Sequence, residues 1–439
     1  MATITGQKRF LEIDTIAEST PGIQNGDSAE NREYAELISG GFQLNESPQF
    51  DDIAIEANLD SQPAPQTAGY APEGTVELVA APFGGGVPDA QKSWTRFMLD
   101  WALKRTSGAI RSHSLTQWNP ISGAGFGRLF TGCKCDTLSL NWSNTDRLKN
   151  PVLGIKGLFP QKSADSVPSS PTFPTYRHWN FTYIGAQLAG SVFTTYTGST
   201  TFDKTLRNIN IEVANGITAG APGYKYNSGS LVTGISELDE SDLAITGSFE
   251  IALANATAFF DPMLAGTHGQ IRLMGFHPSA SKTTLNQSAG FSTANGDDGG
   301  AASVQINVTD ASIFSVGNVV YIEDASASDP ANWIREVLYV SAVNESANMI
   351  TLNLNGNASL GIANDESIGR GQTFTDGSYI YNLGIQFLIR DFTITGWEPV
   401  GGATDKVYQR VTFRAGIYTG SHPTGGANYN HQALGFLVQ

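Results

Sequence analysis

The stretch Ala244-Ile245-Thr246-Gly247-Ser248-Phe249-Glu250-Ile251 alternates in character with a period of two. Successive side chains of an extended strand point to opposite faces, so Ile245, Phe249 and Ile251 share one face. Past this strand, Asn255 is placed to cap a helix whose apolar face is Phe259, Phe260, Met263 and Leu264. Gly266 stops that helix, and Pro262 keeps it short or kinked. Upstream, Leu206–Val213 alternates in the same way and is separated from Ala244 by a long loop. The passage therefore specifies strand, long loop, strand, helix.

The same order occurs once before. A strand at Gly41–Leu44 leads through a long loop to a strand at Gly74–Val79, and a helix follows over 89–105. Asp89 is its cap. Trp94, Phe97, Met98 and Trp101 fall at i, i+3, i+4 and i+7, one apolar face. Lys104 and Arg105 sit in the last turn, where cations suit the helix dipole. Burying four such side chains contributes roughly 1.5–3 kcal/mol each as an upper bound. Residue identity between the passages is low, so the repeat is one of pattern, and it predicts a duplicated module.

Further alternating runs fall at Thr137–Trp142, Ile385–Thr395 and Val407–Tyr418, the last two joined by the Gly- and Pro-containing stretch from Trp397 to Thr404. Four short strands are expected at Ser303–Val308, Phe314–Ile322, Val337–Val343 and Met349–Leu354. Polar, Gly-rich stretches at Ala289–Gly300 and Gly356–Gly371 bracket them, which marks an inserted domain. The expected fold is mainly β, with sandwich or barrel modules, short helices and an inserted small β-domain. The expected domains are 1–130 for the first module, 131–288 with 372–439 for the second, and 289–371 for the insertion.

The 439 residues carry only 15% charged side chains, 48 glycines and a net charge of −15. A free duplex-binding protein is expected to carry a basic stripe that neutralises phosphates, and a chain of this net charge should repel nucleic acid overall. Between Glu12 and Glu77 there are fourteen acidic residues and one basic residue, Arg32, which reads as a solvated acidic segment or a negative wall. Met1–Asp14 has no apolar run suited to a signal peptide, and no segment matches a membrane span, so synthesis in a cytoplasm is expected. Cys133 and Cys135 share a strand face and are read as reduced thiols incidental to the structure.

No catalytic, cofactor-binding or metal-ligating residue stands out. Gly84-Gly85-Gly86 lacks the Lys and Ser/Thr of a phosphate loop, and Gly123-Ala124-Gly125-Phe126-Gly127 reads as a flexible connector. His113, His178, His268 and His277 neighbour turn residues and are assigned to surface or loop. Asp51-Asp52 and Asp297-Asp298 are adjacent loop carboxylates that do not converge as acid and base. Asn295-Gly296-Asp297-Asp298 lacks calcium-loop spacing.

The order of these motifs resembles the tail tube proteins of long-tailed bacteriophages. Pro72-Glu73-Gly74-Thr75-Val76-Glu77-Leu78 followed by an aromatic helix is similar to the first half of that family. Ile245-Thr246-Gly247-Ser248-Phe249-Glu250-Ile251, a short helix and Gly269-Gln270-Ile271-Arg272-Leu273 are similar to the second half. The closing strands at 385–395 and 407–418 resemble its last pair, and Val308–Val320 resembles small β-domains grafted onto virion proteins. The resemblance implies two packed sheets plus a helix, with sheets of neighbouring subunits joined around a lumen. It implies a virion structural protein, not an enzyme, located in the tail, whose stacked rings form the conduit for DNA ejection. The implied partners are further copies of itself and other tail proteins. A trimer with pseudo-sixfold symmetry is favoured over a hexamer, DNA passes without specific binding, and no membrane is involved. The alternatives are a carbohydrate-binding or carbohydrate-active β-protein, with Trp142, Trp179, Trp333 and Trp397 as platforms, and a capsid decoration protein.

Overall fold

A computed structural model of the chain describes residues 9–25, 32–37, 41–51, 66–80, 83–84, 94–103, 105–106, 109–119, 125–143, 150–163, 165–168, 171, 175–176, 183–189, 200–201, 208–227, 230–252, 257–276, 278–286, 292–293, 303–323, 334–353, 367–371, 373–376, 379–382, 384–401, 407–416 and 435–438. The fold is mainly β, with two α-helices among the described residues. Strands are numbered below along the chain, and short two-stranded hairpins are left unnumbered.

The first half contains β1 (Phe10–Asp14), β2 (Arg32–Glu36), an extended segment at 41–45, β3 (Glu73–Glu77) and α1 (Trp94–Leu103). It continues with β4 (His113–Asn119), β5 (Phe126–Ser143), β6 (Val152–Lys156) and β7 (Phe159–Lys162). The long β5 turns a corner. Its first part pairs with β4 and β7, and its second part with β6. Register shifts between Phe130 and Cys133 and between Cys135 and Thr137 mark the bend. Bulges of this kind let one strand serve two sheets.

The second half contains β8 (Tyr183–Ala189), β9 (Thr200–Thr201), β10 (Asn208–Ala214), β11 (Ala244–Ala252), α2 (Thr257–Ala265) and β12 (His268–Phe276). A separate sheet follows, made of β13 (Pro278–Thr284), β14 (Ser292–Thr293), β15 (Ser303–Asn307), β16 (Val319–Glu323), β17 (Ile334–Asn344), β18 (Met349–Asn353) and β19 (Ser367–Gly371). Its strand order is β13-β19-β16-β17-β18-β15-β14. The main sheet then resumes with β20 (Gly384–Val400), β21 (Tyr408–Ala415) and β22 (Gly435–Val438).

Two apolar cores match this division. One runs through both halves of the main sheet and takes in α1 and Phe259 of α2. The other, with Leu285, Ile306, Phe314, Val320, Ile322, Val340, Ile350, Leu352 and Ile368, belongs to the separate sheet.

Three sequence expectations need correction. The insertion begins at Pro278, not 289, because β13 pairs with β19 and Leu285 lies in the small core. Residues 278–286 therefore do not belong to the second module, and the expected Gly-rich linker at 356–371 ends in a paired strand. The boundary at 130/131 falls inside β5, so the first module extends to Lys162. Gly127 stands within β5, where a Cβ would crowd Thr116, Trp118 and Ser163. The strand thus takes in Phe126 and Gly127 from the end of the glycine-rich connector. Finally, α1 ends at Leu103 and Arg105 lies in a two-residue strand. The Ala102 carbonyl is capped by the side chain of Asn215 (3.1 Å), which replaces a further helical turn. Asp89 and Lys104 lie outside the described residues.

In α2, Gly266 is left-handed (φ 59°) and closes the helix as expected: its N–H donates to the Met263 carbonyl at 3.2 Å, and the Thr267 N–H to that of Pro262 at 2.9 Å. The proposed apolar face is not buried as a unit. Phe259 is in the core, but Phe260 and Leu264 are exposed.

The separate core predicts independence. Replacing 277–383 with a copy of 120–125, which connects β4 to β5, leaves the main sheet folded, with a cooperative thermal transition within a few degrees of the parent. Loss of cooperative melting in that variant would show that the small sheet supports the large one.

Candidate assembly interface

The two halves of the main sheet repeat each other strand for strand. β1 pairs with β2 and β4, as β8 pairs with β9 and β12. The segment 41–45 pairs with β3, as β10 does with β11. β3 pairs with β6, as β11 does with β21. β5 pairs with β4, β6 and β7, as β20 does with β12, β21 and β22. Even the bulges coincide: Phe130, Cys133, Cys135 and Thr137 correspond, at one constant offset, to Ile389, Phe392, Ile394 and Gly396. Gly74 and Gly247 also occupy equal places. A Cβ on Gly74 would strike the Gln43 carbonyl, and one on Gly247 the carbonyl of Asn210, the counterpart of Gln43. The small β-domain enters between β12 and β20, the position that 120–125 fills in the first repeat.

The repeats meet along a ladder in which Thr137–Ser143 of β5 pairs with Asn208–Ala214 of β10. Asn215, next in the chain, locks the joint. Its N–H donates to the Asp136 carbonyl (2.8 Å), and its Nδ2 donates to the carbonyls of Ala102 (3.1 Å) and Cys135 (3.0 Å). The Ile217 N–H donates to Asp136 Oδ1 at 2.7 Å. Glu240 accepts from Lys134 Nζ at 2.7 Å and from the Ile110 N–H at 3.0 Å. With this cover in place, Trp94, Phe97, Met98, Leu99, Trp101, Ala102 and Leu103 of α1 are all buried.

The corresponding surfaces at the other ends of the repeats lack such cover among the described residues. Gly396–Gly401 corresponds to Thr137–Trp142. Its Gly396–Val400 part pairs with β21 on one side, and no described strand lies on the other. The segment 41–45 faces β3 through Gly41, Gln43 and Asn45, whose backbone groups bond to Glu77, Thr75 and Glu73 at 2.6–3.1 Å. Alternation turns the backbone of Phe42 and Leu44 the other way, where no described strand pairs with them. Beside this second edge, Arg128 holds Glu46 through Nε and Nη2 at 2.8 and 2.7 Å and donates from Nη2 to the Leu44 carbonyl at 3.2 Å. Beside the first edge lies α2, whose Phe260 packs edge-on against Trp397 at 5.3 Å. Leu264 is 69% exposed, whereas α1 hides its apolar side chains.

No protein-family model matches the chain, and no curated protein matches it in sequence.

The groups singled out in the sequence are dispersed. His113 is not at the surface: it lies buried in β4, with its Nδ1–H donating to the Asp14 carbonyl at 2.8 Å and its ring against Phe97 and Trp101. His268 is exposed and pairs with Asp391 at 2.7 Å. His178, His277, Gly85, Gly86, Asp52 and the 295–298 stretch lie outside the described residues, as do the side chains of Trp142, Trp179 and Trp333. Trp397 is committed to Phe260 and, through Nε1, to Gln409 at 2.7 Å. Cys133 and Cys135 are free and fully buried, and burial raises both thiol pKa values. Among the described residues no group of three or more His, Cys, Asp or Glu side chains is placed to hold a metal.

The acidic stretch is partly internal, which composition did not reveal. Glu12 accepts from Trp118 Nε1 at 2.7 Å, with Arg32 at 3.4 Å. Glu18 accepts from Ser114 Oγ (2.6 Å) and from the amides of Gly22 (2.8 Å) and Gly132 (2.9 Å), tying the bend of β5 to the loop after β1. Glu12, Asp14 and Glu18 are buried, so neither a solvated segment nor a wall contains them.

Burial raises the Asp14 pKa to about 6 and lowers that of His113 to about 4. The signs oppose. Asp14 favours the fold when protonated, a contribution present below its unfolded value near 3.8 and lost as pH rises through about 6. His113 favours the fold when neutral, a contribution present above its unfolded value near 6.5 and lost as pH falls through about 4. Asp14→Asn keeps the acceptor for the Ile16 N–H and removes the buried charge. The variant melts above the parent at pH 8, and its advantage shrinks steadily towards pH 4. A melting difference independent of pH would contradict this.

Proposed function

We propose that this chain is a self-assembling virion subunit of the tail-tube type, closing into rings that stack into a conduit for DNA. The observation that carries the reading is the repeat: two equivalent modules share one internal joint, and among the described residues both halves of a second such joint remain uncovered at the outer ends. A strand edge left bare invites pairing, and head-to-tail pairing of identical copies makes either a closed ring or an open filament. With two modules per chain, three copies supply the six modules of a ring with approximate sixfold symmetry. The motif order that resembles tail tube proteins supports closure over filament growth. The chain works in the virion tail, meeting copies of itself and neighbouring tail proteins, and catalyses nothing.

DNA would slide through the lumen without specific contacts, helped by a net charge of −15. Glu12, Asp14 and Glu18 contribute nothing to a lining, because each lies inside the first repeat. The lining acids are to be found among exposed positions instead.

Electron micrographs of the purified, concentrated chain should show rings or tubes with an open centre. A chain that sediments as a monomer at every salt and protein concentration would refute the reading.

A further inference from the structure

We infer that the free edge of β20, together with the exposed face of α2, is the seat of a second copy of this chain, whose 41–47 segment adds as a strand. The inference rests on the self-assembly reading above and specifies its joint. It follows from carrying the internal joint over residue by residue. Within the chain, Leu138, Leu140 and Trp142 pair with Val213, Ile211 and Ile209. Their counterparts set the joint between copies: Trp397 opposite Glu46, Pro399 opposite Leu44, and Gly401 opposite Phe42. Between these lie Glu398 opposite Asn45 and Val400 opposite Gln43.

Pro399 tests this register chemically. A proline has no amide hydrogen, so within a paired strand its nitrogen must face away from the partner. Pro399 is paired with Gln409 of β21, and its nitrogen therefore faces the free edge. An added strand would meet one missing donor there. In the register derived from the repeat, the carbonyl opposite is that of Leu44. Its acceptor is already engaged by Arg128 Nη2 at 3.2 Å. The one donor that the first edge lacks thus falls where the second edge has an acceptor already satisfied, and no buried carbonyl is orphaned.

The helix points to the same occupant. In the internal joint, the residue just past β10, Asn215, seals the end of α1. The chain just past Ser47 stands in the same relation to α2 of the neighbouring copy. Closing the joint would cover Phe260 and Leu264, which otherwise leave an apolar face in water beside Trp397. A foreign strand could use the edge, but only this chain's own segment is the counterpart of β10.

Asn45 and Glu398 face each other across a non-hydrogen-bonded pair in this register, the closer of the two antiparallel spacings. Both side chains are exposed in the single chain, and the native cysteines are buried. The double variant Asn45→Cys, Glu398→Cys, oxidised after assembly, should give covalent species up to the full ring on a denaturing gel, while each single variant gives none. Leu264→Asp should leave the melting temperature of the unassembled chain within a few degrees and raise the concentration needed for assembly about tenfold. Normal assembly with no 45–398 cross-link and no effect of Leu264→Asp would overturn this joint while leaving self-assembly standing. No assembly of the parent under any condition, with no cross-link in the double variant, would overturn both.

Discussion

The ladder between Thr137–Ser143 and Asn208–Ala214 is the contact on which the rest of the molecule depends. It fuses two equivalent modules into one continuous sheet and one continuous core. It exists because β5 bends. Two bulges, one on each side of Lys134, redirect the strand so that its first part serves β4 and β7 while its second part serves β6 and β10. The bend is fixed by polar groups. Glu18 takes the Gly132 amide, and Asp136 takes the amides of Asn215 and Ile217 through its carbonyl and its carboxylate. Each of these is a charge-assisted or buried bond whose loss would orphan a backbone group.

The same bend recurs in β20, with the same two bulges, but nothing described occupies the place of β10 there. An edge strand of this kind is usually blunted by charge, proline or a covering element. Pro399 and Glu398 go part of the way, and the exposed apolar side chains of α2 go the other way. That combination suits an edge meant for one specific partner: it lacks one donor, so a generic strand pays for an unsatisfied carbonyl, and a strand with that carbonyl already bonded does not. Low charge across the chain fits the proposed assembly, in which a surface covered by neighbours would have little need of solvating side chains.

Much of this was legible in the sequence. Period-two runs located the long strands, the i, i+3, i+4, i+7 aromatics located α1, and Gly-rich stretches located the small domain to within about ten residues. The repeat was visible as element order. A sharper trace lay in Gly74-Thr75-Val76-Glu77-Leu78 against Gly247-Ser248-Phe249-Glu250-Ile251, where glycine and glutamate recur in register, the glycine for a steric reason: the strand next to each passes too close for a Cβ. What failed were features decided by tertiary placement. His113 neighbours turn residues in sequence and is buried in space. Glu12 and Glu18 look solvated until Trp118, Ser114 and Gly132, about a hundred positions away, arrive as donors. The open edge itself has no local signature, since Trp397–Gly401 reads as a turn until its pairing is known.

The central claim is that the internal joint is repeated between chains, so that modules, not chains, set the geometry of the ring. Native mass spectrometry of single rings released from short assemblies measures this directly. Three chains of 46.7 kDa per ring, with two modules each, is the predicted stoichiometry. A ring of six chains, or a two-chain particle joined through identical faces, would show that the joint between β5 and β10 is not the one the molecule uses to assemble.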